Sequence, residues 1–130
     1  VELRATHCSI GQIPQDLPQI RDLNLSDNQI DNLRGIETLG QGNPDAKKFS
    51  FNQNKIRMIP FSIVEVRNLS HLFLNSNCLF NARRELIGVH SLKCIALDDN
   101  PINAMELKQT IEDFSRAFNR SIVFGHPSPC

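Results

Sequence analysis

The sequence predicts an α/β solenoid, a curved right-handed coil with short parallel strands along its inner face and a helix closing its C-terminal end. Three observations lead there. One frame of apolar positions followed by Asn recurs at starts 20, 46, 69 and 92, spacings of 26, 23 and 23 residues. Within each frame apolar and polar residues alternate with the period of two that a strand requires. After Asn103 the alternation gives way to Leu107, Ile111, Phe114 and Phe118, whose spacings of 4, 3 and 4 draw one stripe along a helix.

The frame reads Leu69, Leu72, Leu74, Asn77 and Leu79, or L-x-x-L-x-L-x-x-N-x-L. It returns as Leu92, Ile95, Leu97, Asn100 and Ile102, and earlier as Ile20, Leu23, Leu25, Asn28 and Ile30. Ala46, Phe49, Phe51, Asn54 and Ile56 fill it once more, and a degenerate first copy runs through Leu3, Ala5, Cys8, Ile10, Ile13, Pro14 and Leu17. Units this short cannot bury an apolar face alone, so successive copies must stack and share one core. A chain that turns so tightly leaves backbone groups inside, and an Asn amide carries the donors and acceptor to satisfy them. Asn28, Asn54, Asn77 and Asn100 form that column, and Cys8 holds the equivalent place.

On these residues the chain resembles the leucine-rich repeat family over about five copies in 1–103. The second copy, IRDLNLSDNQIDNLRGIETLG, is similar to the short intracellular class of repeat found in phosphatase-regulating and dynein-associated members. The resemblance implies a parallel concave sheet and a non-catalytic role in scaffolding or regulation by protein binding. Family members use Asn or Cys at the column position, which implies a structural part for Cys8.

The remaining segments follow in order. Ile13-Pro14 and Ile59-Pro60 predict extended or short 3₁₀ returns, because Pro disfavours helix at the residue before it. Gly40–Asp45 is a turn-rich insertion in the second copy, and without a following Lys-Ser/Thr it is not a phosphate loop. Asn81–Val89 predicts a helical return. Asn103 and Glu106 have the spacing of a capping box. The expected division is therefore repeats over 1–103, a cap over 104–124 made of a helix at 104–119 and a short strand, and a flexible tail over 125–130. The first coil has no comparable cover. Leu3, Ile10, Ile13 and Leu17 leave apolar surface there, which predicts either a missing cap, self-association or a partner at that end.

Composition narrows the function. In 130 residues, 14 Lys+Arg balance 14 Asp+Glu, a net charge of zero that argues against nonspecific binding to nucleic acid or anionic membrane. No apolar run approaches the roughly 18–20 residues of a membrane span, and no basic-then-apolar leader opens the sequence. Cys8, Cys78, Cys94 and Cys130 lack a C-x-x-C spacing, so a structural zinc site is not expected. The frame places Cys8, Cys78 and Cys94 on different surfaces, too far apart to pair, which predicts reduced thiols and a cytoplasmic setting. Three N-x-S triplets, at Asn24, Asn68 and Asn119, point weakly the other way.

Outward strand positions form columns across the concave face. One holds Glu2, Asp22, Lys48, His71 and Cys94; the next Arg4, Asn24, Ser50, Phe73 and Ala96; a third Thr6, Ser26, Asn52, Asn75 and Asp98. A fourth holds His7, Asp27, Gln53, Ser76 and Asp99. These positions have no packing duty, so recognition is free to use them. Phe73 among Ser50, Asn52, Asn75 and Ala96 has the look of an aromatic anchor in a polar rim, and Lys48 between the acids Asp22 and Asp98 offers charge complementarity. The expected contact set is Asp22, Asn24, Lys48, Ser50, Asn52, His71, Phe73, Asn75, Cys94 and Asp98, facing a protein or peptide partner, with no cofactor and no metal.

Two alternatives stand beside it. His71 and Cys94 fall side by side about 4.8 Å apart, the makings of a thiolate pair, although no third residue orients the histidine and no oxyanion hole is visible. The repeats can also be an oligomerising or targeting arm of a larger protein, such as a microbial effector.

Overall fold

The computed structural model describes residues 2–14, 20–39, 47–66, 68–80, 89, 91–118 and 123–124. Six strands lie in one sheet: β1 (Glu2–Arg4), β2 (Asp22–Asn24), β3 (Lys48–Ser50), β4 (His71–Phe73), β5 (Cys94–Ala96) and β6 (Val123–Phe124). They follow in chain order and every neighbouring pair is parallel. Short 3₁₀ helices at Ile36–Leu39 and Phe61–Glu65 form returns of the second and third coils, and α1 spans Ala104–Phe118. Strands in sequence order, each reached by a long return, define a parallel β-solenoid with one C-terminal helix.

The strands are three residues or fewer because the middle residue alone points inward. Leu23, Phe49, Leu72 and Ile95 are that residue in β2–β5, and each is buried. Two residues on, Leu25, Phe51, Leu74 and Leu97 join the same core. The third coil fills both positions with Phe, and the rings of Phe49 and Phe51 meet edge to face at 6.1 Å, a favoured aromatic geometry. Pro60 precedes the second 3₁₀ turn with extended backbone at φ −73° and ψ 152°. It turns the chain so that Ile59 and Ile63 both enter the core. The expected insertion at 40–45, helical return at 81–88 and tail at 125–130 lie outside the described residues.

Hydrogen bonds hold each coil to the one before it. Asn54 Oδ1 accepts from Ile30 N (3.0 Å), while its Nδ2 lies against the carbonyls of Leu25, Phe51 and Asn52. Asn77 repeats the scheme with Ile56 N, Phe51 O, Leu74 O and Asn75 O. Asn100 repeats it with Leu79 N and the carbonyls of Leu74, Leu97 and Asp98. Asn28 accepts from both Cys8 N and Ile10 N. Leaving one such buried group unsatisfied costs about 1–3 kcal/mol, so the column supports the turns that follow β2, β3, β4 and β5.

The residue before each column position is left-handed: His7, Asp27, Gln53, Ser76 and Asp99 have φ between 56° and 59°. That conformation costs a non-Gly residue roughly 1–3 kcal/mol. Expected as free recognition positions, these five share one backbone conformation, and after Asp27, Gln53, Ser76 and Asp99 it aims the next side chain, an Asn, back into the preceding coil.

The two ends differ. At the C-terminal end Asn103 Oδ1 accepts from the amides of Met105 and Glu106, starting α1. Phe114 is fully buried in the common core and Leu107 packs against it. β6 adds to β5, and Cys94, Ile95 and Ala96 are all without exposure. At the other end β1 pairs with β2 alone among the described strands, and Leu3, Ala5 and Ile10 are only partly buried.

Candidate functional site

The outward residues of β1–β4 make the floor of one concavity of about 440 Å³. The register sets Glu2 beside Asp22, Asp22 beside Lys48 and Lys48 beside His71. In the next row Arg4, Asn24, Ser50 and Phe73 follow one another. Six residues of the expected contact set line this concavity: Asp22, Asn24, Lys48, Ser50, Asn52 and Phe73. Glu2, Arg4 and Ser26 line it as well. They stand in the same sequence columns, so the frame contained them, but neither type nor spacing distinguished them from other surface polar residues.

Polar contacts pre-order the floor. Ser26 Oγ and Ser50 Oγ share a hydrogen bond of 2.8 Å, and Asn24 Oδ1 accepts from Ser26 N at 3.0 Å. Phe73 is half-buried beside the His71 ring, with centroids 6.1 Å apart and planes inclined at 58°. Ser70 Oγ lies 2.7 Å from His71 Nδ1 and fixes that ring. Burial lowers the His71 pKa below 6.5, Lys48 and Lys93 lower it further, and Asp22 opposes them. The neutral imidazole is therefore the favoured form near neutral pH. The concavity then presents a Phe ring flanked by hydroxyls, amides and charges of both signs. Such a surface suits recognition of a polypeptide, with an apolar anchor for one side chain and polar partners for its neighbours.

Four expected contacts fall elsewhere. Asn75 is only 5% exposed; its Oδ1 accepts from Asp98 N while its backbone N–H donates to Asn52 Oδ1. Asn52 and Asn75 thus stitch β3 to β4 and β4 to β5 just beyond the strands, which gives Asn75 a bracing position in place of a contact one. Asp98 sits past β5, outside the concavity, and His71 borders it without lining it. Cys94 is fully buried and disulfide-bonded. That corrects two expectations: Cys94 is not a solvent-facing contact, and it is not a reduced thiol. His71 and Cys94 are register partners, yet a disulfide sulfur carries no thiolate for a histidine to activate.

Cys8 and Cys78 are free, and Cys130 lies outside the described residues. Cys8 is exposed, and its Sγ reaches the Thr6 carbonyl at 3.2 Å. The column position is occupied, but no preceding coil stands among the described residues for it to join. No group of three or more His, Cys, Asp or Glu among the described residues is placed to hold a metal. No described helix is long and apolar enough to cross a membrane.

Parallel strands, an Asn column on the turns and a terminal helix together are the architecture of leucine-rich-repeat proteins. A solved leucine-rich-repeat protein of Leptospira interrogans is similar to this chain, with a TM-score of 0.77 and 26% sequence identity. The match covers 93% of this chain and 30% of that one. No family model and no curated protein matches the sequence.

Proposed function

We propose that the chain is a non-catalytic protein-binding module that takes a protein or peptide partner on the concave face of β1–β4. One observation carries this: the outward side chains lining the concavity, Lys48 and Phe73 among them, stand outside the buried core and leave its packing to alternate residues such as Leu23. Asp22, Asn24, Ser50, Asn52 and His71 complete the contact surface, Phe73 supplying the anchor and Lys48 the charge. A scaffolding or regulatory role and the short intracellular repeat style accompany this proposal, supported by the 23-residue spacing of the later copies. The division into repeats over 1–103 and a cap over 104–124 is supported by the start of α1 at Ala104 and by β6 at Val123–Phe124.

The test is retention of partners from a cell extract by the native chain and by a Lys48→Glu/Phe73→Ala variant, both shown folded by circular dichroism. A protein held by the first and lost by the second is the expected result. Equal retention moves the binding surface off the concave face, and retention of nothing by either form makes the arm-of-a-larger-protein alternative lead.

The compartment needs its own test. A cytoplasmic setting is supported by the free thiols of Cys8 and Cys78, whereas the disulfide at Cys94 favours an oxidising compartment. Alkylation before reduction, followed by peptide mass analysis, decides: a labelled Cys94 in chain from its native source supports the cytoplasm, an unlabelled one the oxidising setting.

A further inference from the structure

We propose that the partner of the concave face presents an extended peptide segment charged oppositely at its two ends, laid along the strands of the third to fifth coils. Its acidic end lies over the strand starts and its basic end over the strand ends. This rests on the concave-face reading above and adds the chemistry and direction of the partner. Neighbouring strands are parallel from β3 to β5, so all of them begin at one edge of the sheet. Charges placed near the strand starts therefore gather at that edge, where antiparallel strands would divide them between both edges.

The starting edge is cationic. Lys47 and Lys93 stand just before β3 and β5, with Ser70 between them before β4. The Ser70 amide donates to the Lys47 carbonyl at 2.9 Å, and the Lys93 amide donates to the Ser70 carbonyl at 2.8 Å. Lys48 opens β3 beside His71. Lys48 and Lys93 are exposed and Lys47 is half-buried. Among the described residues no carboxylate forms an ion pair with any of the three lysines. Asp22 is the register partner of Lys48 on β2, and Arg21 beside it in the chain offsets its charge. His71 reports the resulting field: after burial, Lys48 and Lys93 do most to loosen its proton, and Asp22 opposes them more weakly.

The finishing edge is acidic. Asp98 and Asp99 follow β5, and the equivalent residues of the third and fourth coils, Asn52-Gln53 and Asn75-Ser76, bring no cation to offset them. Asp99 is exposed, and its Oδ2 accepts from Ser76 Oγ at 2.9 Å, which ties the carboxylate to the fourth coil. Phe73 stands between the two edges with Ser50 and Asn52. Four residues of extended backbone, roughly 13 Å, separate the Lys48 column from the Asp98 column. A partner segment of similar length therefore meets both edges and sets an apolar residue on Phe73 midway. Turned end for end, it places acid on acid and base on base, the like-charge opposition that rejects a wrong register.

The experiment selects displayed random peptides of about twelve residues on the native chain. Enriched peptides, and copies with their acidic and basic residues exchanged, are then titrated against the native chain, Phe73→Ala and Lys48→Glu/Lys93→Glu, all shown folded by circular dichroism. Enriched peptides are expected to carry Asp or Glu about four to six residues from Lys or Arg, with an apolar residue between. The exchanged copies should bind the native chain about tenfold more weakly. The Lys48→Glu/Lys93→Glu variant should prefer the exchanged copies, a gain that a misfolded variant cannot show. Peptides that lose affinity for Phe73→Ala but bind the native chain equally well when exchanged overturn the polarity and leave the concave-face reading standing. No enrichment, or enriched peptides indifferent to Phe73→Ala, overturns that reading and the polarity with it.

Discussion

The two ends of this solenoid are built on the same frame and differ in what covers them. In β5 all three residues are without exposure, whereas β1, in the same register, is exposed at Glu2 and Arg4 and half-buried at Leu3. The difference does not come from the apolar residues themselves, since Leu3 is as hydrophobic as Ile95. It comes from neighbours: β5 lies between β4 and β6 beneath a core that includes Phe114, and β1 is held from one side. A repeat frame fixes which side chains point inward. How much stability each contributes depends on the coil beyond it.

Truncation at the two ends should therefore give unequal losses. Phe114→Ala opens a cavity in the covered end and is expected to cost about 3–5 kcal/mol in urea unfolding, while Leu3→Ala at the open end costs about 1 kcal/mol. Equal losses would break the comparison. The Asn column sharpens it. Asn54→Ala removes two contacts between the second and third coils and two within the third, and is expected to cost about 2–4 kcal/mol. At the same place in the first coil, Cys8→Ala should shift stability by less than about 0.5 kcal/mol, because its side chain is exposed and its hydrogen bond goes to its own coil's Thr6 carbonyl.

A smaller effect belongs to the concave side. The folded chain holds the His71 proton less tightly than an ordinary histidine with a pKa of 6.5, so around and below that pH the unfolded chain binds more protons. Stability from this group is complete above pH 6.5 and is lost as the pH falls through the lowered folded value. His71→Gln should flatten that part of the stability profile between pH 7.5 and 5.5. A variant profile parallel to the native one would remove His71 as its source.

Most of the fold was legible because each inward position has one physical duty. Leu23, Phe49, Leu72 and Ile95 differ in type and share the same burial, and alternation alone identifies them. The outward positions were less legible because one residue type serves two ends there. Asn52 lines the concavity while Asn75, one coil on in the same column, is buried in bracing bonds, and nothing in their spacing separates them. The left-handed column was hidden for a related reason. His7, Asp27, Gln53, Ser76 and Asp99 include none of the Gly that usually marks such a conformation, so the turn is set by coil stacking and not by local preference. Cys94 escaped because repeat spacing carries no information on which thiol comes to meet it.

The central claim, that identical coils take their stability from the coil beyond, is tested most directly by amide hydrogen exchange at one repeated bond. The amides of Ala5, Leu25, Phe51 and Leu74 donate to Asn24, Ser50, Phe73 and Ala96 at 2.8–2.9 Å. Their local geometry is therefore matched. The account predicts protection rising from Ala5 inward, with Ala5 slowed least and Leu74 exchanging near the global unfolding limit. Equal protection at all four amides would contradict it and show that the chain opens only as a single unit.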